Sequence, residues 1–354
     1  MKILVIIQRS NGDVFFSNSL IQTLHKNFSK CEIDILVNDD TLQTAGLIKN
    51  INKIITFSYK KKKKNKWKQE RSIVKRIFKS YEISINLTTS DRGAIYSLLS
   101  AKKSISAVEK EFSKSWWQKL FLTKTYRFDR NSHIIQNNMV PAQILNLDFD
   151  QKVQGIKPNQ ESLIKVKKML GMMEEKFIIF HPSAQYNYKV YPEKNRLLLL
   201  ALLSKLDISV VITGGSSKID MEVSKRIPKY KNIINLIGKT TIDEYNSLSY
   251  LSKGYIGMDT LNMHIAASHN KKIFAIFGPT NTDMWAPWSN GKGRCDYPPK
   301  EIKEYGNITL FQAGLDCVPC GNMGCDNNFG KSLCLDLIQP SVIYSEIEKF
   351  VNSI

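Results

Sequence analysis

The sequence predicts an α/β protein with two doubly wound domains, each built around a mostly parallel sheet. Its 354 residues suit two domains of ordinary size. Strand, helix and strand patterns alternate from residue 2 onward, and the same order recurs in the second half at residues 254–280. The polar, aperiodic stretch 148–158 predicts an inter-domain linker. We therefore expect domains at 1–155 and 156–338, and a final helix within 339–354 that packs back on the first domain.

Composition narrows the function classes. Hydrophobic residues at 42% and aromatic residues at 10% are enough for real cores, which excludes a disordered chain. The net charge of +19 indicates an anionic partner: nucleic acid, an anionic membrane face or a phosphorylated glycolipid. Nucleic acid is disfavoured because the basic residues form no motif that reads bases. The chain has no apolar run of about 18 residues and no signal peptide, so we expect a cytoplasmic protein, peripheral at the inner membrane.

The first half opens with a βαβ unit: strand KILVII, a helix over 14–28 and strand EIDILV. Further strands are predicted at 54–57 and 81–87, with helices at 69–79 and 133–147. The dinucleotide fingerprint G-x-G-x-x-G is missing after the first strand. Asp13 lies in the turn that follows it, where an aspartate is either a helix N-cap or a general base directed into a cleft.

Two basic features of the first half have a structural and a functional interpretation. The run KKKKKNKWK at 60–68 is either a solvated face or a surface that binds anionic lipid and the phosphate of an acceptor substrate. In the second case, Trp67 would lie at the membrane interface. Arg92 follows the strand at 81–87, and it is either a phosphate contact or a surface residue.

The second half shows polar loops after each predicted strand. Strand 176–180 leads into the loop HPSAQ and on to Lys189, and strand 208–213 leads through Gly214 and Gly215 into a helix at 218–226. Strand 233–237 precedes Gly-Lys-Thr-Thr. At 254–280 a buried strand ends in Asp259 and Thr260, which open a helix at 263–268, before strand KIFAIF. Helix N-termini at the carboxyl ends of parallel strands bind anions, so this turn is predicted to hold a phosphorylated ligand.

Cysteines cluster near the carboxyl terminus in the pattern C-x2-C-x4-C-x8-C: Cys317, Cys320, Cys325 and Cys334. Four thiolates at this spacing fit one structural zinc or iron ion, with glycines supplying the turns, and Cys295 is a substitute ligand. The alternative is a loop of reduced structural cysteines.

Two segments carry a family resemblance. MDTLNMHIAASHNKKIFAIFGPTNTDMWAPW resembles the donor-site signature of the ADP-heptose:lipopolysaccharide heptosyltransferases, glycosyltransferase family 9, and NGDVFF resembles their opening loop and helix. Asp259, Thr260 and His264 fall on the family pattern. Leu261 departs from it, because the family has Gly or Ala there, and Tyr191 replaces a usual Trp.

The resemblance implies a GT-B fold, in which two Rossmann-like domains face each other across a cleft. It makes Asp13 the catalytic base and Lys189 the cation that offsets charge on the departing ADP. It places acceptor binding at Asn11, Gly12 and Arg92. It places donor binding at Ser183, Gln185, Gly215, Asp220, Lys239, Asp259, Thr260, Leu261, Asn262 and His264. Some relatives carry a similar C-x-P-C segment, and no catalytic cofactor is expected.

The predicted function is an inverting glycosyltransferase that moves heptose from ADP-L-glycero-D-manno-heptose to the inner core of lipopolysaccharide. The stretch 81–117 and the PWSN segment are most similar to the branch that adds the third core heptose. Two alternatives stay open: an autotransporter-type protein heptosyltransferase, and a polyanion-binding relative whose transferase site has decayed. The intact Asp13 argues against the second alternative.

Overall fold

The chain folds into two compact units, Met1–Gln154 and Gly155–Ile354. The structure is a computed structural model that describes residues 1–109, 112–171, 176–294 and 301–354, without the side chains of 61–66 and 112–114. Each unit contains a sheet of mostly parallel strands with helices between them. The predicted α/β class is therefore confirmed.

The first unit is built on a six-stranded, wholly parallel sheet in the order β3-β2-β1-β4-β5-β6. Its strands are β1 (Lys2–Ile7), β2 (Glu32–Asn38), β3 (Lys53–Phe57), β4 (Tyr81–Asn86), β5 (Ala101–Val108) and β6 (Lys124–Arg127). The apolar runs of β1, β2 and β4 are buried because helices cover both faces of such a sheet. The strand order reverses between β1 and β4, which makes that pair the topological switch point.

The helices of the first unit largely match the predicted pattern. They are α1 (Asn11–Phe16), α2 (Asn18–Asn27), α3 (Leu42–Leu47), α4 (Tyr59–Ile77), α5 (Asp91–Ser100), α6 (Phe112–Phe121) and α7 (Ile134–Ile144). The helix predicted at 14–28 is in fact two helices that meet at Ser17, and α1 begins three residues earlier than expected. The Ser17 hydroxyl donates to the Val14 carbonyl at 2.6 Å, a backbone-directed bond that competes with regular helix.

The basic run at 60–68 forms part of helix α4, although the side chains of 61–66 lie outside the described residues. Trp67, at the end of the run, is 80% exposed. None of the described helices combines the length and apolar character needed to cross a bilayer.

The second unit is built on a seven-stranded sheet in the order β12-β13-β11-β10-β7-β8-β9. Its strands are β7 (Phe177–His181), β8 (Ser209–Ile212), β9 (Ile233–Asn235), β10 (Gly254–Met258), β11 (Lys272–Phe277), β12 (Ile302–Tyr305) and β13 (Ile308–Gln312). Only the β12–β13 pair is antiparallel among these strands. The switch point lies between β7 and β10. The strands β12 and β13 were not predicted, because each is short and neither precedes a periodic helix.

The helices of the second unit connect these strands. They are α8 (Gln160–Leu170), α9 (Glu193–Leu203), α10 (Lys218–Lys225), α11 (Ile242–Leu251), α12 (Leu261–Ser268), α13 (Thr282–Trp285), α14 (Leu333–Asp336) and α15 (Pro340–Val351). Helix α15 lies within the predicted range 339–354. Its apolar residues Ile343, Ile347 and Val351 lie in the core of the second unit, together with Leu199 and Leu203 of α9. The structure thus buries the apolar stripe of α15 within the second unit, and packing of this helix on the first domain stays a prediction.

Candidate active site

The two loops at the switch point of the second unit lie side by side. Gly257 of β10 pairs with His181 of β7, so the segments after both strands leave the same edge of the sheet. The strands approach so closely that a Cβ on Gly257 would stand 2.4 Å from the His181 carbonyl oxygen. Glycine at 257 therefore allows the loop that carries Ser183 and Lys189 to lie beside the turn that begins at Asp259.

An ion pair joins these two loops. Lys189 Nζ lies 2.6 Å from Asp259 Oδ2, and the two side chains are 25% and 9% exposed. Burial disfavours the ammonium, but the pair with Asp259 outweighs burial and raises the pKa of Lys189. A charged lysine is thus fixed at the carboxyl edge of the sheet, 70 residues from its partner in the chain.

Helix α12 starts directly beyond this ion pair. Thr260 is its N-cap residue, in an extended conformation and without a hydrogen bond from its side chain to the helix. The first backbone N–H groups of α12 are consequently available to an anion. Residues Leu261 and Asn262 form the first turn and are partly exposed. Burial lowers the pKa of His264, in the next turn, to about 4, which makes its imidazole neutral at physiological pH.

Three residues from other elements orient this first turn. The Tyr245 hydroxyl of α11 donates to the Asn262 carbonyl at 2.8 Å, and the Asn262 side-chain amide lies 3.2 Å from His181 Nδ1. His181 Nδ1 also contacts Thr213 Oγ1 at 3.0 Å. Burial lowers the pKa of His181 to about 4, so its ring is neutral at physiological pH. Tyr245 carries no sequence signal, because a single tyrosine within a helix belongs to no motif.

Ser183 and Asp220 meet at the same edge of the sheet. The Ser183 hydroxyl donates to Asp220 Oδ1, and the Ser217 hydroxyl donates to Asp220 Oδ2 at 2.6 Å. Asp220 thereby closes a capping box at the start of α10. A Cβ on Gly215 would stand 3.0 Å from Asp220 Oδ2, so the glycine loop packs directly on this carboxylate. The structure thus brings Ser183, Gly215 and Asp220 together, as one cluster.

Two further predicted donor residues have only local contacts. Lys239 Nζ donates to the Asn235 carbonyl at 3.1 Å, within its own turn after β9. Gln185 is exposed, in the loop between Ser183 and Lys189. Both follow strands of the second sheet, but no described contact links either one to the Lys189–Asp259 pair.

The switch point of the first unit contains Asp13. This carboxylate is 4% exposed and occupies the third position of α1. Its Oδ2 accepts from the Ser10 backbone N–H at 3.2 Å and from the Ser10 hydroxyl at 2.6 Å. Its Oδ1 lies 3.2 Å from Arg9 Nε. Each carboxylate oxygen accepts about two hydrogen bonds, so Oδ1 keeps capacity for a further donor.

The predicted acceptor residues differ in how many contacts they already make within the protein. Asn11 accepts a hydrogen bond of 2.7 Å from Thr44 Oγ1, and Gly12 is partly exposed in the first turn of α1. Arg92 pairs with Glu70 at 3.2 Å, and its guanidinium lies 4.1 Å from the centre of the Phe57 ring. Arg92 thus has a structural role in the first unit, and a phosphate would have to share its guanidinium.

The cysteine segment departs from the predicted metal site. Cys317, Cys320 and Cys325 are exposed, whereas Cys334 is buried on α14. Burial, reinforced by the neighbouring Cys325 and Cys320, raises the pKa of the Cys334 thiol to about 11, which opposes the thiolate that a metal requires. In the described parts of the chain no three His, Cys, Asp or Glu side chains are placed to hold a metal ion. The structure therefore does not support the zinc or iron site, and Cys295 lies outside the described residues.

Taken by their chemistry, the two switch points have complementary properties. One has a fixed cation beside an open helix N-terminus, which suits a diphosphate, and the other has a buried carboxylate, which suits proton abstraction. A buried carboxylate on one doubly wound unit, and a fixed cation beside an open helix N-terminus on the other, are the features expected of nucleotide-sugar glycosyltransferases.

Comparison with known proteins identifies the family. The chain belongs to glycosyltransferase family 9 (heptosyltransferase), whose family model matches residues 70–306. It is 24% identical over 290 residues to lipopolysaccharide heptosyltransferase 3 of Escherichia coli, covering 80% of this chain and 85% of the relative. The fold is similar to that of E. coli ADP-heptose lps heptosyltransferase II, with a TM-score of 0.72, 18% identity and coverage of 100% and 99%. E. coli heptosyltransferase WaaC with ADP-2-deoxy-2-fluoro heptose gives a TM-score of 0.70 at 14% identity, with coverage of 99% and 100%.

Proposed function

We propose that this enzyme transfers a heptose from ADP-L-glycero-D-manno-heptose to the inner core of lipopolysaccharide, with inversion at the anomeric carbon. The observation that carries the proposal is the Lys189–Asp259 pair beside the open N-terminus of α12, at the switch point of the second sheet. The similarity to lipopolysaccharide heptosyltransferase 3 favours addition of the third core heptose.

The donor half of the reaction belongs to the second unit. The diphosphate of the donor accepts hydrogen bonds from the first N–H groups of α12 and from Thr260, and Lys189 neutralises charge as ADP departs. Asp259 holds the Lys189 ammonium in place before the donor arrives. The Ser183–Asp220 cluster, with the close approach of Gly215, supplies carboxylate and hydroxyl groups for the ribose.

The acceptor half belongs to the first unit. Asp13 Oδ1 takes the proton from the acceptor hydroxyl as that oxygen attacks the anomeric carbon from the face opposite ADP. The C–O bond to ADP breaks as the new glycosidic bond forms, so the configuration inverts. Ser10 fixes the orientation of the carboxylate through Oδ2 and leaves Oδ1 for the reaction.

The acceptor is a lipid, so we place the enzyme on the cytoplasmic face of the inner membrane. Supporting this, α6 has an exposed apolar face formed by Trp116, Leu120 and Phe121, at 53%, 69% and 58% exposure, next to the exposed Lys119. Trp117 of the same helix donates to Asp91 at 3.2 Å, which ties α6 to the start of α5 beside Arg92. Aromatic and aliphatic side chains with lysine suit an anionic bilayer surface, and the net charge of +19 adds attraction.

Ligand-induced stabilisation separates this function from its alternatives. We expect ADP-heptose and ADP to raise the melting temperature saturably at low millimolar concentration or below, whereas UDP-glucose leaves it unchanged. A decayed polyanion binder would respond to heparin, with strong salt dependence, and not to ADP-heptose. A protein heptosyltransferase would bind ADP-heptose but transfer to no inner-core acceptor.

A further inference from the structure

The second unit contains a cavity that lies apart from the residues assigned to donor binding. It has a volume of about 400 Å³ and lies between α9, α10 and the segment that leads into α14. Its wall includes Asn187, which begins the short helical turn that ends at Lys189, and Val190, which directly follows that turn. The cavity shares none of the residues assigned above to catalysis or to donor binding.

The cavity contains a buried cation that forms no ion pair with a carboxylate among the described residues. Arg196 is 3% exposed, and NH1 donates to the Tyr191 carbonyl at 3.0 Å. Its Nε is buried and has no hydrogen-bond partner in the described parts of the chain. Burial lowers the pKa of Arg196, in spite of the nearby Glu193. A buried guanidinium costs several kcal/mol unless an anion compensates it, so this arrangement favours a bound anion.

A buried hydroxyl lines the same cavity. Ser332 is 4% exposed, and its Oγ has no hydrogen-bond partner among the described residues. Buried polar atoms rarely stay unpaired, because each costs about 1–3 kcal/mol. Two unsatisfied donors, one of them charged, thus line one cavity that is large enough for a small molecule.

The carboxylates around the cavity lie at its exposed rim. Glu193, Glu222 and Asp336 are all exposed, and Glu193 is already held by Arg226. Exposed charges are strongly screened by water and salt, whereas the buried Arg196 is not. The charge that decides which ligand enters is therefore positive, and Lys331 adds a second cation at the rim.

We propose that this cavity is an oxyanion site, in which Arg196 and Ser332 hold a phosphate or carboxylate group of a small ligand. A planar guanidinium matches both groups through paired N–H donors, and a serine hydroxyl adds a third. Because Asn187 and Val190 border the cavity, the bound group would also brace the turn that carries Lys189. The proposal does not depend on heptose transfer.

Titration of the 354-residue protein tests the site, with inorganic phosphate and malonate as separate probes and with saturating ADP present throughout. We expect saturable binding of at least one probe, and at least a tenfold loss of affinity in Arg196→Gln. Lys194→Gln is the matched control, because it removes an exposed cation of the same helix that does not line the cavity, and it should keep affinity within about twofold. The saturating ADP occupies the donor site, which excludes that site as the place of binding.

Ser332→Ala makes the test independent of folding. The hydroxyl has no described partner to lose, so the melting temperature should hardly change while affinity falls about threefold or more. The proposal is overturned if the wild-type protein binds neither probe saturably, if Lys194→Gln weakens binding as much as Arg196→Gln, or if Ser332→Ala leaves affinity unchanged when Arg196→Gln does not fold.

Discussion

The two switch points each place an aspartate near the start of a helix and pair it with a cation, but they do so by different means. Asp13 is held within its own turn, by Ser10 three residues away and by Arg9 four residues away. Asp259 is held by Lys189, from a loop 70 residues earlier in the chain. The first carboxylate is organised locally, whereas the second depends on the assembled sheet.

This difference agrees with the chemistry proposed for each unit. A base needs one oxygen in a fixed direction, which a capping contact provides regardless of the rest of the fold. A diphosphate cradle needs donors from several strand ends, so it forms only when β7 and β10 lie in register. We expect mutations to separate accordingly into effects on the chemical step and effects on donor binding.

The largest expected effect is on the chemical step. Asp13→Asn should lower turnover about 10²–10⁴-fold, because the amide cannot accept the proton, while ADP-heptose affinity stays within about twofold. Turnover is measured by ADP release at saturating donor and acceptor. Ser10→Ala is the comparison: it loses only the hydroxyl bond to Asp13 Oδ2, costing about 1 kcal/mol of stability, and the backbone N–H still orients the carboxylate, so turnover should fall by less than about tenfold. Equal loss of turnover in both variants would assign Asp13 a capping role only.

The second-largest expected effect is the loss of the Lys189 ammonium, which is proposed to bind the diphosphate of the donor. Lys189→Met should weaken ADP binding about 10–100-fold, because a charged hydrogen bond to phosphate contributes about 1.5–3 kcal/mol. Calorimetric titration with ADP gives the affinity directly. Lys194→Met, an exposed lysine on α9, should leave affinity unchanged. A similar loss in both variants would indicate general electrostatic attraction rather than a specific cradle.

The close pairing of β7 and β10 can be tested by a substitution at Gly257, which is not among the residues assigned to donor binding. Gly257→Ala should lower the free energy of unfolding by about 2–3 kcal/mol, since its Cβ would overlap the His181 carbonyl, and ADP binding should weaken with it. Urea denaturation measures the change. Gly291→Ala meets no atom within 4 Å and should fall within about 0.5 kcal/mol of wild type. Unchanged stability in Gly257→Ala would mean that the two strands are less tightly apposed.

The second switch point should also be sensitive to acid. The pKa values of His181 and His264 are lowered to about 4, so both rings are neutral in the folded protein. Because both rings are neutral when folded, their contribution to the free energy of unfolding is fully present above pH 6.5. It is lost as the pH falls from 6.5 toward 4. We expect at most about 1.4 kcal/mol per pH unit from each ring.

Unfolding free energies measured from pH 7.5 to pH 5 test this dependence. His264→Asn should reduce the slope between pH 6.5 and 5. His25→Asn, which replaces an exposed histidine of α2, should leave the slope as it is. A flat profile for the wild-type protein would show that neither ring is kept neutral by burial.

Membrane contact is the smallest effect, and it concerns the first unit. Trp116→Ser with Leu120→Ser should lower binding to phosphatidylglycerol vesicles about 3–30-fold, since two large apolar side chains leave the bilayer surface. Co-sedimentation measures binding, and phosphatidylcholine vesicles should bind weakly. Leu198→Ser, on the exposed side of α9, is the control. Equal binding by all three proteins would place the contact elsewhere.

Sequence patterns predicted the bounds of helices and strands better than they predicted how these elements pack against each other. The strand KILVII has the predicted bounds and the helix α15 lies within the predicted range, because their apolar periodicity is unbroken. The partner of α15, by contrast, depends on which apolar surface it meets, and no local pattern encodes that choice. Likewise, the cysteine spacing suited a metal, but the burial of Cys334 and the exposure of the other three thiols follow from tertiary packing.

The site shows the same limit. Asp13, Lys189 and Asp259 were found through their motifs, yet the 2.6 Å contact between Lys189 and Asp259 required the sheet order. Arg9 lies four residues before Asp13 but outside α1, so no helical spacing pointed to that pair and only the structure shows it. Tyr245 and Arg196 gave no signal, because a buried polar residue is recognisable only once its surroundings are known.

The most direct test of the account is mass spectrometry of a purified inner-core lipopolysaccharide acceptor after incubation with the wild-type enzyme and ADP-L-glycero-D-manno-heptose. We expect the mass of one heptose to be added, and Asp13→Asn, folded and able to bind ADP, to add none. Failure of the wild-type enzyme to modify any inner-core acceptor would contradict the proposed function. Transfer that persists at the wild-type rate in Asp13→Asn would contradict the division of roles between the two switch points.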